Sequence, residues 1–163
     1  MHKVASSYLW VYTRYMRVCT DYLNAARCVA REGDGFMPLV KLNIRRGRPA
    51  ELRRKILDAI QSALVETMNV PDADRYQLVN QYDEEDFIHT AAYLDMNYSR
   101  DLIMIEIVFI EGRSDEIKKS LIAAISKKIV AATGMSSDDI FLMIQEVNRT
   151  NVSFGRGVAQ RAA

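Results

Sequence analysis

The sequence predicts an α/β chain of the α+β type: a tandem βαβ repeat forming a four-stranded mixed sheet with two helices on one face. Three observations carry this. Residues 40–48 lie over residues 105–113 at an offset of 65, without a gap, so that Gly47-Arg48 falls on Gly112-Arg113. The same offset carries Asp74 onto Asp139, Tyr76 onto Phe141 and Asn69 onto Gly134. Each copy then reads as an apolar run of strand length, a Gly-Arg turn, a stretch of helical spacing and a second apolar run.

Copy one spans about residues 38–82. Val40, Leu42 and Ile44 alternate as in a strand, and Gly47-Arg48 ends it. Pro49 suits a first helical turn, where its missing N–H costs nothing. Leu52, Ile56, Ile60, Ala63 and Thr67 then share one helix face. A second strand is expected over 76–81. A polar connection over 83–100 leads to copy two, about residues 103–147. There the strand ends at Gly112-Arg113, Ser114 and Asp115 supply an N-cap region, and Ile117, Leu121, Ile125, Ile129 and Ala132 share a face. The last strand falls over 140–147, followed by a tail over 148–163. Right-handed crossovers put both helices on one side of the sheet. The opposite apolar face must find cover, which predicts a closed homo-oligomer.

Bulk composition removes several classes. At 163 residues, 49% hydrophobic and 26% charged, the chain is long enough for one real core and too apolar for disorder. A net charge of +1 gives no overall field for nucleic acid or an anionic membrane, and no run reaches transmembrane length. Arg45, Arg46, Arg48, Arg53, Arg54 and Lys55 read as a turn and a solvated helix face rather than a nucleic-acid site. Cys19 and Cys28 make no disulfide framework, which fits a reducing cytosol and predicts a cytoplasmic protein. His89 has no His or Cys companion at ligand spacing, so no metal site is expected and His89 reads as a surface residue.

The Met37-Pro38 step divides the chain. Before it lie both cysteines and Trp10; after it nearly everything is doubled. Residues 1–36 form an N-terminal extension, and 37–163 the repeat-bearing domain. The extension is no export signal, because Arg14 and Arg17 interrupt the apolar run around Tyr8 to Tyr12. Leu9, Tyr12, Met16, Cys19 and Leu23 recur at helical spacing, so a translated extension would be an amphipathic docking helix. The preferred reading is upstream message read as protein: Glu32-Gly33-Asp34 can be encoded by a sequence containing a bacterial ribosome-binding site just ahead of the Met37 codon.

The opening Met37-Pro38-Leu39-Val40-Lys41 with Gly47-Arg48 resembles the tautomerase superfamily, whose βαβ unit begins at a proline uncovered by loss of the initiator methionine. The doubled length, Asp74-Arg75-Tyr76-Gln77, Gly112-Arg113-Ser114 and Ser153-Phe154-Gly155-Arg156-Gly157 are similar to the malonate semialdehyde decarboxylase branch. The resemblance implies a homotrimer with no metal or organic cofactor and a small carboxylate substrate. It also implies Pro38 as the catalytic residue, Asp74 as its partner and Arg113 as the clamp for the substrate carboxylate, with Phe154 and Gln77 at the substrate.

The chemistry of these residue types fits those roles. An N-terminal proline is a rigid secondary amine that holds or accepts a proton; inside a chain its nitrogen is an amide with neither ability. An apolar pocket or a cation lowers its pKa, and a carboxylate raises it. Arginine's planar fork binds a carboxylate bidentately and keeps its charge. At the repeat offset Pro38 corresponds to Ile103, so copy two has no amine, and Arg48 reads as structural. Two departures from the decarboxylase pattern stand out: Glu111 occupies the place of a second arginine, and Val152 that of a tryptophan. Enol-keto proton transfer on a small 2-oxo or enol carboxylate is therefore the expected activity, with decarboxylation or hydration of malonate semialdehyde as the alternative. If Pro38 stays internal, a non-catalytic oligomeric scaffold is expected instead.

Overall fold

The computed structural model describes residues 37–162, so the extension over 1–36 lies outside the described residues. In chain order the elements are β1 (Leu39–Arg45), α1 (Ala50–Met68), β2 (Tyr76–Tyr82), β3 (Ala92–Tyr93), β4 (Met96–Asn97), β5 (Ile103–Ile110), α2 (Asp115–Thr133) and β6 (Ile140–Val147). The main sheet has the order β2-β1-β5-β6. Within each copy the strands are parallel, and the copies join through antiparallel β1 and β5. The doubled βαβ unit read from the repeat is thus the fold.

Alternation decides which face each strand buries. Val40, Leu42 and Ile44 of β1, with Ile103, Ile105 and Ile107 of β5, point at the helices and are almost wholly excluded from water. Ile56, Ile60, Ala63 and Leu64 of α1 meet them, as do Leu121, Ile125 and Ile129 of α2. The two helices also pack on each other. Both end in a left-handed residue, Asn69 at φ 53° and Gly134 at φ 73°, the positions that the offset aligns.

The structure departs from the sequence reading in four details. Pro49 has an extended ψ of 141° and stands at the N-cap, with the helix beginning at Ala50. Ala132 is exposed; Met135, just past the Gly134 cap, packs on the core at that end. β2 runs one residue further, to Tyr82, because Arg45 of β1 pairs with it. The polar connection is ordered: it carries a 3-10 turn at Glu84–Asp86, the β3-β4 hairpin, and the buried anchors Phe87 and Leu102.

The sheet face away from the helices is open. Tyr76, Leu78, Phe141 and Met143 on its edge strands are each 41–50% exposed. Its centre is polar. Lys41 Nζ lies 3.5 Å from Glu106 Oε2, Asn43 Nδ2 donates to Glu106 Oε1 at 3.0 Å, and Asn80 Nδ2 and Tyr82 Oη donate to Asn43 Oδ1 at 3.0 and 3.2 Å. Among the described residues no helix is long and apolar enough to cross a membrane.

Ile60 is fully buried between helix and sheet. Ile60→Ala is expected to lower unfolding free energy by about 2–5 kcal/mol, read from urea denaturation.

Candidate active site

Strand direction gathers the candidate residues. β1 and β2 start at the same end of the sheet because they are parallel; β5 and β6 finish there because β5 runs against β1. Leu39 stands opposite Tyr76 on one side and Val108 on the other. Pro38 therefore immediately precedes β1 at the end where the 71–74 turn enters β2 and the Gly112-Arg113 turn leaves β5. Pro38 is buried, and Asp74 and Arg113 are half-buried.

The 71–74 turn is fixed from α1. Asp74 N–H donates to the Pro71 carbonyl at 2.9 Å. Gln61, a polar residue 1% exposed, aims its amide at the carbonyls of Pro71, Asp72 and Asp74 from 3.3–3.5 Å. Arg75 turns away to Asp58 at 2.7 Å and Asp72 at 3.1 Å. Gln77 is half-buried, and its Nε2 donates to the Leu57 carbonyl at 3.1 Å, tying β2 to α1. Asp74 is thus presented by a turn that other side chains hold.

On the other side, Gly112 at φ +122° makes a turn that favours glycine, and Arg113 follows. Ser114 then caps α2, its Oγ accepting from Ile117 N–H at 3.4 Å. The helix start adds positive potential beside Arg113, which suits an anion. Glu111 accepts from Asn148 Nδ2 at 2.6 Å.

The tail after β6 closes on itself. Phe154 N–H donates to Gln160 Oε1 at 3.0 Å, and Gln160 Nε2 donates to the Gly155 carbonyl at 2.7 Å. Phe154 is partly exposed, at 38%. Burial pushes the Asp74 carboxyl above its ordinary pKa, and the Arg161 charge pulls against that shift. The tail therefore reaches from β6, at one edge of the sheet, to the field of Asp74 at the other.

The opposite end of the sheet holds the repeat-related counterparts, and they are occupied. Asp139, counterpart of Asp74, is 3% exposed and accepts from Ser99 N–H and Ser99 Oγ, each at 2.6 Å. Arg48, counterpart of Arg113, pairs with the Asp101 carboxylate and donates to the Arg100 carbonyl at 3.4 Å. Arg45 donates to the Arg100 and Phe87 carbonyls at 2.7 and 3.1 Å and lies 4.8 Å over the Phe87 ring. His89 is half-buried, edge-on to Phe87 and Tyr98. The inter-repeat connection fills that end.

Gln61 and Arg161 were not singled out by the sequence. Gln61 interrupts an apolar helix face and gives a faint signal of that kind; Arg161 lies outside the repeat, so no register points to it.

A doubled βαβ sheet with a proline starting its first strand defines a class, and the chain belongs to the tautomerase superfamily, in its malonate semialdehyde decarboxylase-like branch. Two family models, both described as tautomerase enzyme, match residues 38–93 and 74–155. Its relatives include the probable tautomerase YusQ of Bacillus subtilis (strain 168), 32% identical over 124 residues that cover 76% of this chain and 98% of YusQ. Among solved structures, the FG41 malonate semialdehyde decarboxylase inhibited by 3-bromopropiolate is 34% identical, with a TM-score of 0.68 over 75% of this chain and 92% of that one. A fused 4-OT, a symmetric trimer, shares the fold at 23% identity and a TM-score of 0.62, over 76% and 98%.

Two outcomes follow from the electrostatics. Asp139→Ala leaves two donors of Ser99 without their acceptor, so it should cost about 1–3 kcal/mol in urea denaturation while kcat/KM is unchanged. The second concerns Asp74. Its folded-state pKa lies above the unfolded one, so its stabilising contribution is present at low pH and fades as pH rises through the folded value. Arg161→Gln removes the lowering charge, so the Asp74 titration followed by carboxyl-carbon NMR should move to higher pH.

Proposed function

We propose that this chain, once Pro38 is its first residue, is a cofactor-independent enzyme that interconverts enol and keto forms of a small 2-oxo carboxylate. The observation that carries the reading is the common sheet end shared by buried Pro38, Asp74 and the Gly112-Arg113 turn. A further support is that one family match begins at residue 38 itself. The prolyl nitrogen moves the proton: as the free amine it takes the proton from the enol oxygen, and as the resulting ammonium it delivers that proton to the enol carbon, so the substrate gains and loses nothing overall. Arg113 binds the substrate carboxylate bidentately. Asp74 tunes the amine or activates water, and Phe154 and Gln77 line the substrate. Exclusion of water around Pro38 strengthens each of these interactions.

A second reading is malonate semialdehyde decarboxylation or hydration at the same site, favoured by the 34% identity to a decarboxylase. There the carbon-carbon bond to the carboxylate breaks, carbon dioxide leaves, and the Pro38 ammonium protonates the carbon that keeps the electron pair. Glu111 and Val152 weigh against it, since a carboxylate stands where a cation is needed to polarise the carbonyl. The open sheet face, with Tyr76, Leu78, Phe141 and Met143 exposed, supports a homotrimer that buries it.

Phenylenolpyruvate ketonisation and 3-oxopropanoate decarboxylation should be assayed on protein beginning at Pro38, on the Met1 form and on Pro38→Ala. The Pro38 form should be the active one. Loss of the amine in the Met1 form should cost about 10²- to 10⁴-fold in kcat, with Pro38→Ala between the two because alanine keeps a primary amine. Equal rates in all three would reject catalysis by Pro38, and intact mass of the native gene product, by reporting which N-terminus exists, separates the enzyme from a scaffold in which Pro38 stays internal.

A further inference from the structure

The Gly-Arg turns of the two copies are built by different chemistry. At the occupied end, a cation on α1 holds a carbonyl: Arg53 Nη1 donates to the Arg48 carbonyl, and Arg46 Nη2 to the Gln81 carbonyl at 3.4 Å. At the Pro38 end, an anion on β6 holds an amide: Glu146 Oε1 accepts from Arg113 N–H at 3.4 Å. The repeat offset places Lys118 where copy one has Arg53, and Glu146 where it has Gln81. Lys118 Nζ lies 3.0 Å from Glu146 Oε2 and 3.0 Å from Asp115 Oδ1. Both side chains are about a quarter exposed, Lys118 at 24% and Glu146 at 27%.

We propose that Glu146, neutralised by Lys118, is a positioning residue that sets the Gly112-Arg113 turn so that Arg113 meets the substrate carboxylate. This rests on the reading of Arg113 as that clamp. The turn is pinned on two sides, since Glu111 N–H donates to the Val147 carbonyl at 3.0 Å while Glu146 takes the amide two residues on. A backbone so held gives the guanidinium a fixed base from which to form two parallel bonds. A bare carboxylate beside an anion site would repel the substrate. Lys118, shared with Asp115, lessens that repulsion while leaving the acceptor in place. It holds the Glu146 carboxyl below the usual carboxylate range, with the Arg113 and Gly112 N–H groups adding to the effect.

The pair predicts a pattern that lost stability alone does not produce. With Pro38-initiated protein and a 2-oxo carboxylate substrate, Glu146→Ala and Lys118→Met should each raise KM about tenfold, roughly the factor carried by one charge-assisted contact, with kcat little changed. Glu146→Gln keeps the acceptor and drops the charge, so its KM should stay near the starting value. The double variant Lys118→Met/Glu146→Gln should recover what Lys118→Met loses. The inference is overturned if Lys118→Met is not rescued by the added Glu146→Gln, or if Glu146→Gln raises KM as much as Glu146→Ala. Should Glu146→Ala fail to fold, the Lys118→Met and double variants decide alone. Arg113→Ala in the same assay separates the two readings. If it raises KM and the Glu146 and Lys118 variants do not, only this inference falls; if it too leaves KM unchanged, the clamp reading falls and this one with it.

Discussion

The antiparallel pairing of β1 with β5 is the constraint on which the rest depends. Lys41 sits opposite Glu106 and Leu42 opposite Ile105, so the copies meet about a local two-fold axis that exchanges each residue with its partner 65 positions away. That geometry decides which residues meet. It brings the start of copy one beside the end of copy two, so the arginine near Pro38 is Arg113 and the arginine near Ile103 is Arg48. Parallel pairing of the same strands would have left each arginine far from the proline. The core reinforces the choice, because only this arrangement lays both apolar helix faces on one side of a continuous sheet.

A two-fold axis makes two equivalent ends, and substitution has driven them apart. At one end a proline starts the strand; at the other Ile103 is 0% exposed and its neighbours clasp the inter-repeat connection. Asp139 keeps the place of Asp74 but spends both oxygens on Ser99, and Arg48 keeps the place of Arg113 but pairs with Asp101. A duplicated site whose polar groups would otherwise be buried without partners is costly. Filling it with the chain's own connection satisfies them.

Much of this was legible because repetition is a strong signal. The offset that aligns Gly47-Arg48 with Gly112-Arg113 also fixes strands, helices and caps, and the alternation of Val40, Leu42 and Ile44 names the buried face. The shared sheet end of Pro38, Asp74 and Arg113 follows from that repeat and its strand directions, whereas the roles proposed for them rest on the resemblance of their motifs to the family. Gln61 and Arg161 could not be read: one works through backbone carbonyls of a turn ten residues away, the other through a tail with no counterpart. The order in residues 83–100 was hidden for a similar reason. Phe87 and Leu102 anchor it, but the surrounding charges make the stretch look like solvent-exposed linker until Arg45, Arg48 and Asp139 are seen to bind it.

The carboxylates around Pro38 differ in a way that bears on its proton. Glu146 is held ionised by Lys118, and Glu111 is engaged by Asn148. The Asp74 carboxyl is pushed above its ordinary pKa, first by burial. A carboxyl that gives up its proton reluctantly is a weaker counterion for a neighbouring ammonium than one fixed as an anion. For the proposed proton transfer, such a neighbour would favour an amine able to release a proton as well as hold one, as shuttling a proton between oxygen and carbon requires. Decarboxylation, the second reading, has a different need, a firm cation at the carbonyl, and the exposed carboxylate of Glu111 does not supply one.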